Sequence, residues 1–428
     1  MRLLVVAPSY PSAPHTFAGV FNERCVRSLA GLCESVEVIV PRPWVPPLLG
    51  RLAARWKTYA GLQTLELRSG VRVHRPPFIQ VPKLGAAFLS DVSAFVFSKR
   101  TARRLHRENP FDAILSFDLR GAGGLAWRLG RELGIPAAGW ATGSDVRVLP
   151  SSSHGRGVRE SLKRLDVVFY QSQELLEKAE ELVGAAPGEL DSDRHLVLPR
   201  GIAPPPPLDR AAVRRRVRAD WGADSDATVV ALYLGRIVKE KGVFEFLDAL
   251  SAQGAAGRLM GVLVGVKPGF DDSVAVRRFI DREASLEKRA LLLPACPPDR
   301  VWEYLCGADL FVLPTYREGM PNSLLEAMAM GVPSIASSIP PVLEIDHTGA
   351  GLVTVPPRDP ARLLRELMRL ADSPSERLRV GQNGKAFVSR RFDVNQNMAR
   401  ALQALERATK RYGFRRESPP SAAPELHV

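Results

Sequence analysis

Apolar runs too short for helices recur along the chain, and the segments between them carry apolar residues at helical spacing. In the first half the runs fall at 2–7, 36–40, 111–116, 135–140, 166–170 and 195–202. Most are continuous rather than alternating, which is how a strand covered on both faces of a sheet reads. Helices are expected from Gly19 through Cys25 and Leu29, across 84–107, across 121–133 and across 174–182. The second half repeats the scheme, with runs at 228–234, 262–264, 291–294, 310–313 and 332–336 and helices after Gly242, after Pro321, across 360–370 and across 394–411. Strand and helix alternating in this way predict doubly wound parallel sheets. A chain of 428 residues suits two such α/β domains better than one. Prolines 204–207 form a stiff connection. The domains are therefore expected at 1–203 and 204–390, followed by a C-terminal helix over 391–416 and a disordered Ser/Pro-rich tail over 417–428.

Charge changes this picture in one place. The chain carries a net +13, and residues 42–107 hold thirteen Lys or Arg against only Glu66 and Asp91. Two stretches there, 48–59 and 84–107, set tryptophan, phenylalanine and leucine against arginine and lysine at helical spacing. Such helices either pack on a sheet with their bases in water or lie on an anionic membrane surface. No run of 18 apolar residues could span a bilayer, and the first apolar run is too short for a secretion signal. The expected location is cytoplasmic, with peripheral attachment to the inner face of the membrane as the sharper alternative. Cys25, Cys33, Cys296 and Cys306 are too scattered for a disulfide framework or a zinc site, so buried free thiols are expected.

Candidate chemistry concentrates in residues 313–337, LPTYREGMPNSLLEAMAMGVPSIAS. The run ending at Leu313 stops at Pro314, a loop follows, and Asn322 or Ser323 is placed to cap a helix that Gly331 and Pro333 end. A loop at the carboxyl end of a strand is where open α/β sheets bind ligands, and the start of a helix favours a diphosphate. Glu318 and Glu326 would repel a phosphate but can accept hydrogen bonds from sugar and ribose hydroxyls. Taken singly, each also reads as an ordinary surface or helix acid. A second cluster, GRIVKEKG at 235–242, sets Gly235, Arg236, Lys241 and Gly242 at a strand-to-helix turn. Arg236 can fork two phosphate oxygens and Lys241 supplies a compact charge, although a charged surface turn has the same composition. Two Asp-x-Asp triplets, 191–193 and 224–226, sit in polar turns, and no compact set of acids and histidines points to a metal.

The series EGMPNSLLEAMA at 318–329, followed by Gly331-Val332-Pro333, closely resembles the E-x7-E signature of retaining glycosyltransferases of family GT4. Ala18-Gly19-Val20, Thr142-Gly143-Ser144-Asp145-Val146, Arg200-Gly201-Ile202 and the Gly-Arg and Lys-Gly pairs at 235–242 extend the likeness over most of the chain. The resemblance implies a GT-B fold, two Rossmann-like domains facing a central cleft, with the C-terminal helix crossing back to the first. It also implies sugar transfer from a nucleotide diphosphosugar, without metal or other cofactor, to a glycan or lipid-linked acceptor in cell-surface polysaccharide or glycolipid synthesis. Carried over residue by residue, Glu318, Arg236 and Lys241 are the catalytic group. Gly19, Asp145, Gly235, Gly319, Met320, Pro321, Asn322, Ser323 and Glu326 line the donor. Thr142 stands where the family has histidine, Lys267 replaces a glycine, Pro294 lies where a base-contacting glycine is frequent, and Pro340-Pro341 replace a glycine pair. Those departures leave nucleobase and sugar open. A sugar nucleotide epimerase or phosphorylase of the same fold and a noncatalytic nucleotide-sugar-binding protein share the same cradle, whereas nucleic acid binding has only the charge in its favour.

Overall fold

Two largely parallel sheets organise the chain. The computed structural model describes residues 1–12, 17–46, 59, 61–80, 87–148, 151–223, 225, 227–253, 257–267, 269 and 271–417. His15, a loop histidine that the sequence offers as a contact to donor or acceptor, lies outside the described residues, as do most of the stretch at 48–59, Asp224 and Asp226, and the tail beyond 417. The chain divides into unit 1, formed by Met1–Gln171, Leu175–Leu198 and everything from Met398 on, and unit 2, formed by Ser172–Glu174 and Pro199–Asn397.

Unit 1 runs through β1 (Arg2–Val6), α1 (Val20–Leu32), β2 (Ser35–Ile39), β3 (Arg42–Pro43), β4 (Leu65–Arg68), β5 (Val71–His74), β6 (Pro77–Phe78), α2 (Ala87–Glu108) and β7 (Ala113–Ser116). It continues with α3 (Gly121–Leu133), β8 (Ala137–Ala141), α4 (Ser153–Arg164), β9 (Val167–Tyr170), α5 (Gln173–Val183) and β10 (His195–Val197). The main sheet has the order β10-β9-β8-β7-β1-β2-β5-β4, and only the edge pair β4 and β5 is antiparallel. Continuous burial of β1, β7, β8 and β9 confirms the reading of their apolar runs as strands covered on both faces.

Unit 2 comprises α6 (Arg210–Asp220), β11 (Val229–Leu234), a 3-10 turn (Lys239–Lys241), α7 (Val243–Ala252), β12 (Leu259–Val266), α8 (Ser273–Arg282), β13 (Ala290–Pro294), α9 (Val301–Gly307) and β14 (Leu310–Leu313). After these come α10 (Asn322–Ala329), β15 (Ser334–Ser337), α11 (Pro340–Leu343), β16 (Val353–Val355), α12 (Pro360–Asp372), α13 (Pro374–Arg391) and the first residues of α14 (Val394–Glu417), which passes into unit 1 at Met398. Its sheet is wholly parallel in the order β13-β12-β11-β14-β15-β16. Strands β11 and β14, whose residues are all buried, run through the middle of the core.

The division differs from the expected limits at 203 and 390, for a physical reason. Ile202 donates its N–H to the Phe392 carbonyl at 2.8 Å, and Val394 donates to the Ile202 carbonyl at 3.1 Å. The segment after Leu198 is thereby bound to unit 2, and unit 2 runs on to Asn397 inside α14. Helix α13 did not stand out in the apolar pattern because it packs through small residues: a Cβ on Gly381 would lie 2.2 Å from the Gly331 carbonyl oxygen, and one on Gly384 2.7 Å from that of Gly351. Its start is nonetheless written in the sequence. Ser373 caps it, Pro374 fills its first position, and Glu376 stands three residues after the cap. All four cysteines are free thiols, Cys25 and Cys306 buried, Cys33 and Cys296 only half-buried.

Candidate active site

In unit 2 the site grows from the carboxyl ends of the central strands. Tyr233 in β11 is completely buried, and a buried phenol needs a partner. It finds one by donating to the Arg236 carbonyl at 2.7 Å, which fixes the turn just after Gly235. Burial, with the Glu318 charge adding to it and Arg236 opposing it, raises the Tyr233 pKa far above the ordinary phenol range. Tyr233 is therefore the buried neighbour that Arg236 and Glu318 share. The Arg236 side chain itself is exposed and makes no ion pair among the described residues.

The 3-10 turn that follows is pressed against the end of β14. Gly242 closes it at φ +71°, and a Cβ there would lie 1.9 Å from the Pro314 carbonyl oxygen. Tyr316 donates its N–H to the Glu240 carbonyl at 2.9 Å, and the Thr315 hydroxyl donates to the same oxygen at 3.3 Å. These contacts bring together two charges that are 77 residues apart, and the Lys241 ammonium pairs with the Glu318 carboxylate. Their side chains are only 15% and 14% exposed, so little water screens the pair. The Tyr316 hydroxyl donates to Glu245 at the start of α7, while the Arg358 guanidinium lies 4.5 Å from the centre of the Tyr316 ring. The loop carrying Glu318 is thus held at Thr315, Tyr316 and Glu318.

Through Gly319, Met320 and Pro321 this loop enters α10. The start of α10 corrects one expectation. Pro321 occupies the cap position and no side chain caps the helix, because Asn322 and Ser323 already lie within it. The first-turn N–H groups of α10 are left without a side-chain acceptor, which favours an anion. Met320 and Pro321 are buried, while Gly319, Asn322 and Ser323 are half-buried. Glu326 is buried, near Cys296 in the segment after β13, whose thiol is pushed up to about 11 by burial with the Glu326 charge contributing.

Gly19 and Asp145, expected at the donor, belong to unit 1. Gly19 begins α1 at φ +75°, and a Cβ would lie 2.4 Å from the Ser9 carbonyl oxygen, so the chain's own backbone already demands glycine there. Asp145 is engaged by its own backbone. Its Oδ1 accepts from the N–H groups of Thr142, Gly143 and Val146 at 2.8–3.1 Å, and its Oδ2 accepts from Thr142 and Leu119, both at 3.1 Å. That buried carboxylate pins two loops and has no oxygen left over for a sugar.

The basic stretch divides as well. On α2, Phe95 packs against the unit 1 core, and Lys99 and Arg103 pair with Glu132. Leu89, Val92 and Val96 remain exposed on the same helix, as do Arg100 and Arg107. No helix among the described residues is long and apolar enough to cross a membrane. The Asp191–Asp193 triplet is an exposed turn in which Asp191 accepts from the Asp193 N–H and Asp193 pairs with Arg411.

Comparison with known proteins adds independent findings. Residues 213–387 match the family described as glycosyl transferases group 1. The whole chain is similar to the putative teichuronic acid biosynthesis glycosyltransferase TuaC of Bacillus subtilis (strain 168), with 28% identity over 94% of this chain and 97% of that protein. Among solved structures, sucrose-phosphate synthase from Thermosynechococcus elongatus superposes with a TM-score of 0.70 at 18% identity, covering 96% of this chain and all of the other. Anabaena Alr3699/HepE in complex with UDP-glucose gives 0.70 at 16% identity, over 94% of this chain and all of that one. Each unit therefore has the α/β architecture of the GT-B fold, and the stretch that matches the group 1 glycosyl transferases, 213–387, lies within unit 2.

Proposed function

We propose, from the match of residues 213–387 to the group 1 glycosyl transferases and from the GT-B fold, that this protein is a GT4-type enzyme. It transfers a sugar from a nucleotide diphosphosugar, with retention of configuration, to a glycan or lipid-linked acceptor. The process served is cell-surface polysaccharide or glycolipid synthesis. The observation that carries this reading is the Lys241–Glu318 pair, set in the loop that leads into the uncapped start of α10.

Departure of a nucleoside diphosphate builds negative charge, and cations and N–H groups already in position stabilise it best. Arg236, Lys241 and the first turn of α10 supply them, and the reading requires no metal. Glu318 accepts a hydrogen bond from a hydroxyl of the transferred sugar, and Glu326 from the ribose. Gly235, Gly319, Met320, Pro321, Asn322 and Ser323 form the wall around the diphosphate. A thermal-shift screen of UDP-, GDP- and ADP-sugars, run with and without EDTA, is expected to give stabilisation by one nucleotide class in both conditions. Incubation of that donor with a glycan acceptor then yields a glycosylated product. An epimerised or phosphorolysed sugar instead would favour the related enzyme classes, and stabilisation without turnover would reduce the protein to a binder.

The exposed Leu89, Val92 and Val96 beside Arg100 and Arg107 support attachment to an anionic membrane face, where a lipid-linked acceptor resides. The protein is expected to sediment with phosphatidylglycerol vesicles and to stay in solution with phosphatidylcholine. Leu89→Glu/Val96→Glu should abolish the difference; equal recovery from both vesicles would remove the membrane from the proposal.

A further inference from the structure

Unit 1 holds a cavity of about 200 Å³ that the donor chemistry does not use. It opens at the carboxyl ends of β1, β2 and β7. There the strand order reverses, with β2 on one side of β1 and β7 on the other. Crevices at such reversal points are where parallel α/β sheets take ligands. The cavity is smaller than the ~300–1,000 Å³ pockets that hold drug-sized molecules, so a single ring suits it.

Its walls have a mixed chemistry. Phe78 and Leu125 give it apolar surface, and Asp91, Asp118, Arg120 and Arg128 give it charge of both signs. Asp118 is the informative member, because it is only 9% exposed and yet half unused. Its Oδ1 accepts from the N–H groups of Ala122 and Gly123, at 2.9 and 3.2 Å, while Oδ2 takes no hydrogen bond among the described residues. Burial, with the Asp145 charge behind it, pushes this carboxyl up to about 6. An acid so costly to ionise, lining a cavity with one free oxygen, is placed to receive a donor from outside the chain. Arg128 is occupied, donating to the Gly124 carbonyl at 3.2 Å and stacking on Trp127 at 4.8 Å. Arg120 is exposed, acts on both Asp91 and Asp118, and makes no ion pair among the described residues.

We propose that this cavity binds one sugar unit bearing a negative group, either a uronate carboxylate or a phosphate. Asp118 accepts from a ring hydroxyl, Phe78 and Leu125 cover the C–H face of the ring, and Arg120 pairs with the anion. That the bound unit is the acceptor rests on the transfer reading above; that the cavity binds it does not.

Isothermal titration of the full chain with methyl glucuronide, glucose 6-phosphate, methyl glucoside and inorganic phosphate tests this. One or both charged sugars should bind at least ~10-fold more tightly than methyl glucoside, and more tightly than inorganic phosphate, because only they use both kinds of wall. The stronger of the two identifies the anion. Arg120→Gln, an exposed change that leaves the fold intact, should bring charged and neutral sugars to the same affinity. Asp118→Asn should weaken every sugar, and the nucleotide-sugar thermal shift should be unchanged in both variants. No sugar binding to the parent protein, a charge preference that survives Arg120→Gln, or inorganic phosphate binding as tightly as the phosphosugar would overturn the proposal. A protein that binds the charged sugar but transfers nothing overturns the transfer reading and leaves this one standing.

Discussion

Glu318→Ala is expected to lower kcat by about 10²–10³-fold, the scale on which removing one preorganised hydrogen-bonding group from an active site acts, while donor binding stays within a few-fold of the parent. The asymmetry follows from its partner. Glu318 pairs with Lys241 in a setting that leaves each side chain about one-seventh exposed. Removing the carboxylate frees an ammonium for the diphosphate, so affinity for the nucleotide is held or improved as turnover falls. Lys241→Ala acts in the other direction: it takes a cation from the leaving group and leaves Glu318 as an uncompensated charge, so that kcat and donor affinity both fall. Because the two residues touch, the double variant should cost less than the sum of the single ones, by about 0.5–3 kcal/mol of coupling. Steady-state kinetics on the four proteins decides the matter, and full turnover in Glu318→Ala would remove the role given to that residue.

Gly242→Ala should be nearly as damaging, although it adds one methyl group and touches no substrate. A side chain in left-handed geometry costs roughly 1–2 kcal/mol. The larger cost comes from the Pro314 carbonyl oxygen, which lies 1.9 Å from where the Cβ would go and belongs to backbone at the end of a central strand. Strand β14 cannot yield, so the 3-10 turn must retreat and carry Lys241 with it. A displacement of about 1 Å in a positioning group is enough for a ~10²-fold loss of kcat/KM. Gly349→Ala provides the control, since Gly349 shares the positive φ, at +67°, but has nothing within 4 Å of a Cβ. A moderate fall in melting temperature in both variants, with loss of activity confined to Gly242→Ala, is the expected result. Equal activities would mean that the contact with Pro314 does not position Lys241.

How much of this could be read beforehand depended on whether the physics was local. The run at 310–313, the proline after it and the glycine at 331 located β14 to the residue and α10 to within about two, because strand burial, proline's missing N–H and the left-handed stop all act within a few positions. Arg236, Lys241 and Glu318 stood out by residue type, but their pairing did not, since the contact between Lys241 and Glu318 exists only once the 3-10 turn docks on β14. Tyr233 escaped notice for the same reason: it reads as one more apolar strand residue until its hydroxyl is traced to the Arg236 carbonyl. The part Asp145 plays in its loop was not legible, because a carboxylate beside a glycine looks the same in sequence whether or not it takes five hydrogen bonds from the backbone. The free oxygen of Asp118 lay beyond any motif, since it depends on which oxygen α3 consumes.

Unit 1 is completed by residues made after unit 2. Met398, Ala401, Leu402, Leu405 and Ala408 of α14 are buried, and the helix belongs to unit 1 from Met398 on, although the nearly two hundred residues of unit 2 precede it in the chain. On the ribosome, the apolar surface of unit 1 that these residues cover therefore waits until the whole of unit 2 has been made. An emerging chain of this kind is a natural client for chaperones, and a stop codon shortly before position 398 would strand a finished unit 2 beside a first unit that never closes.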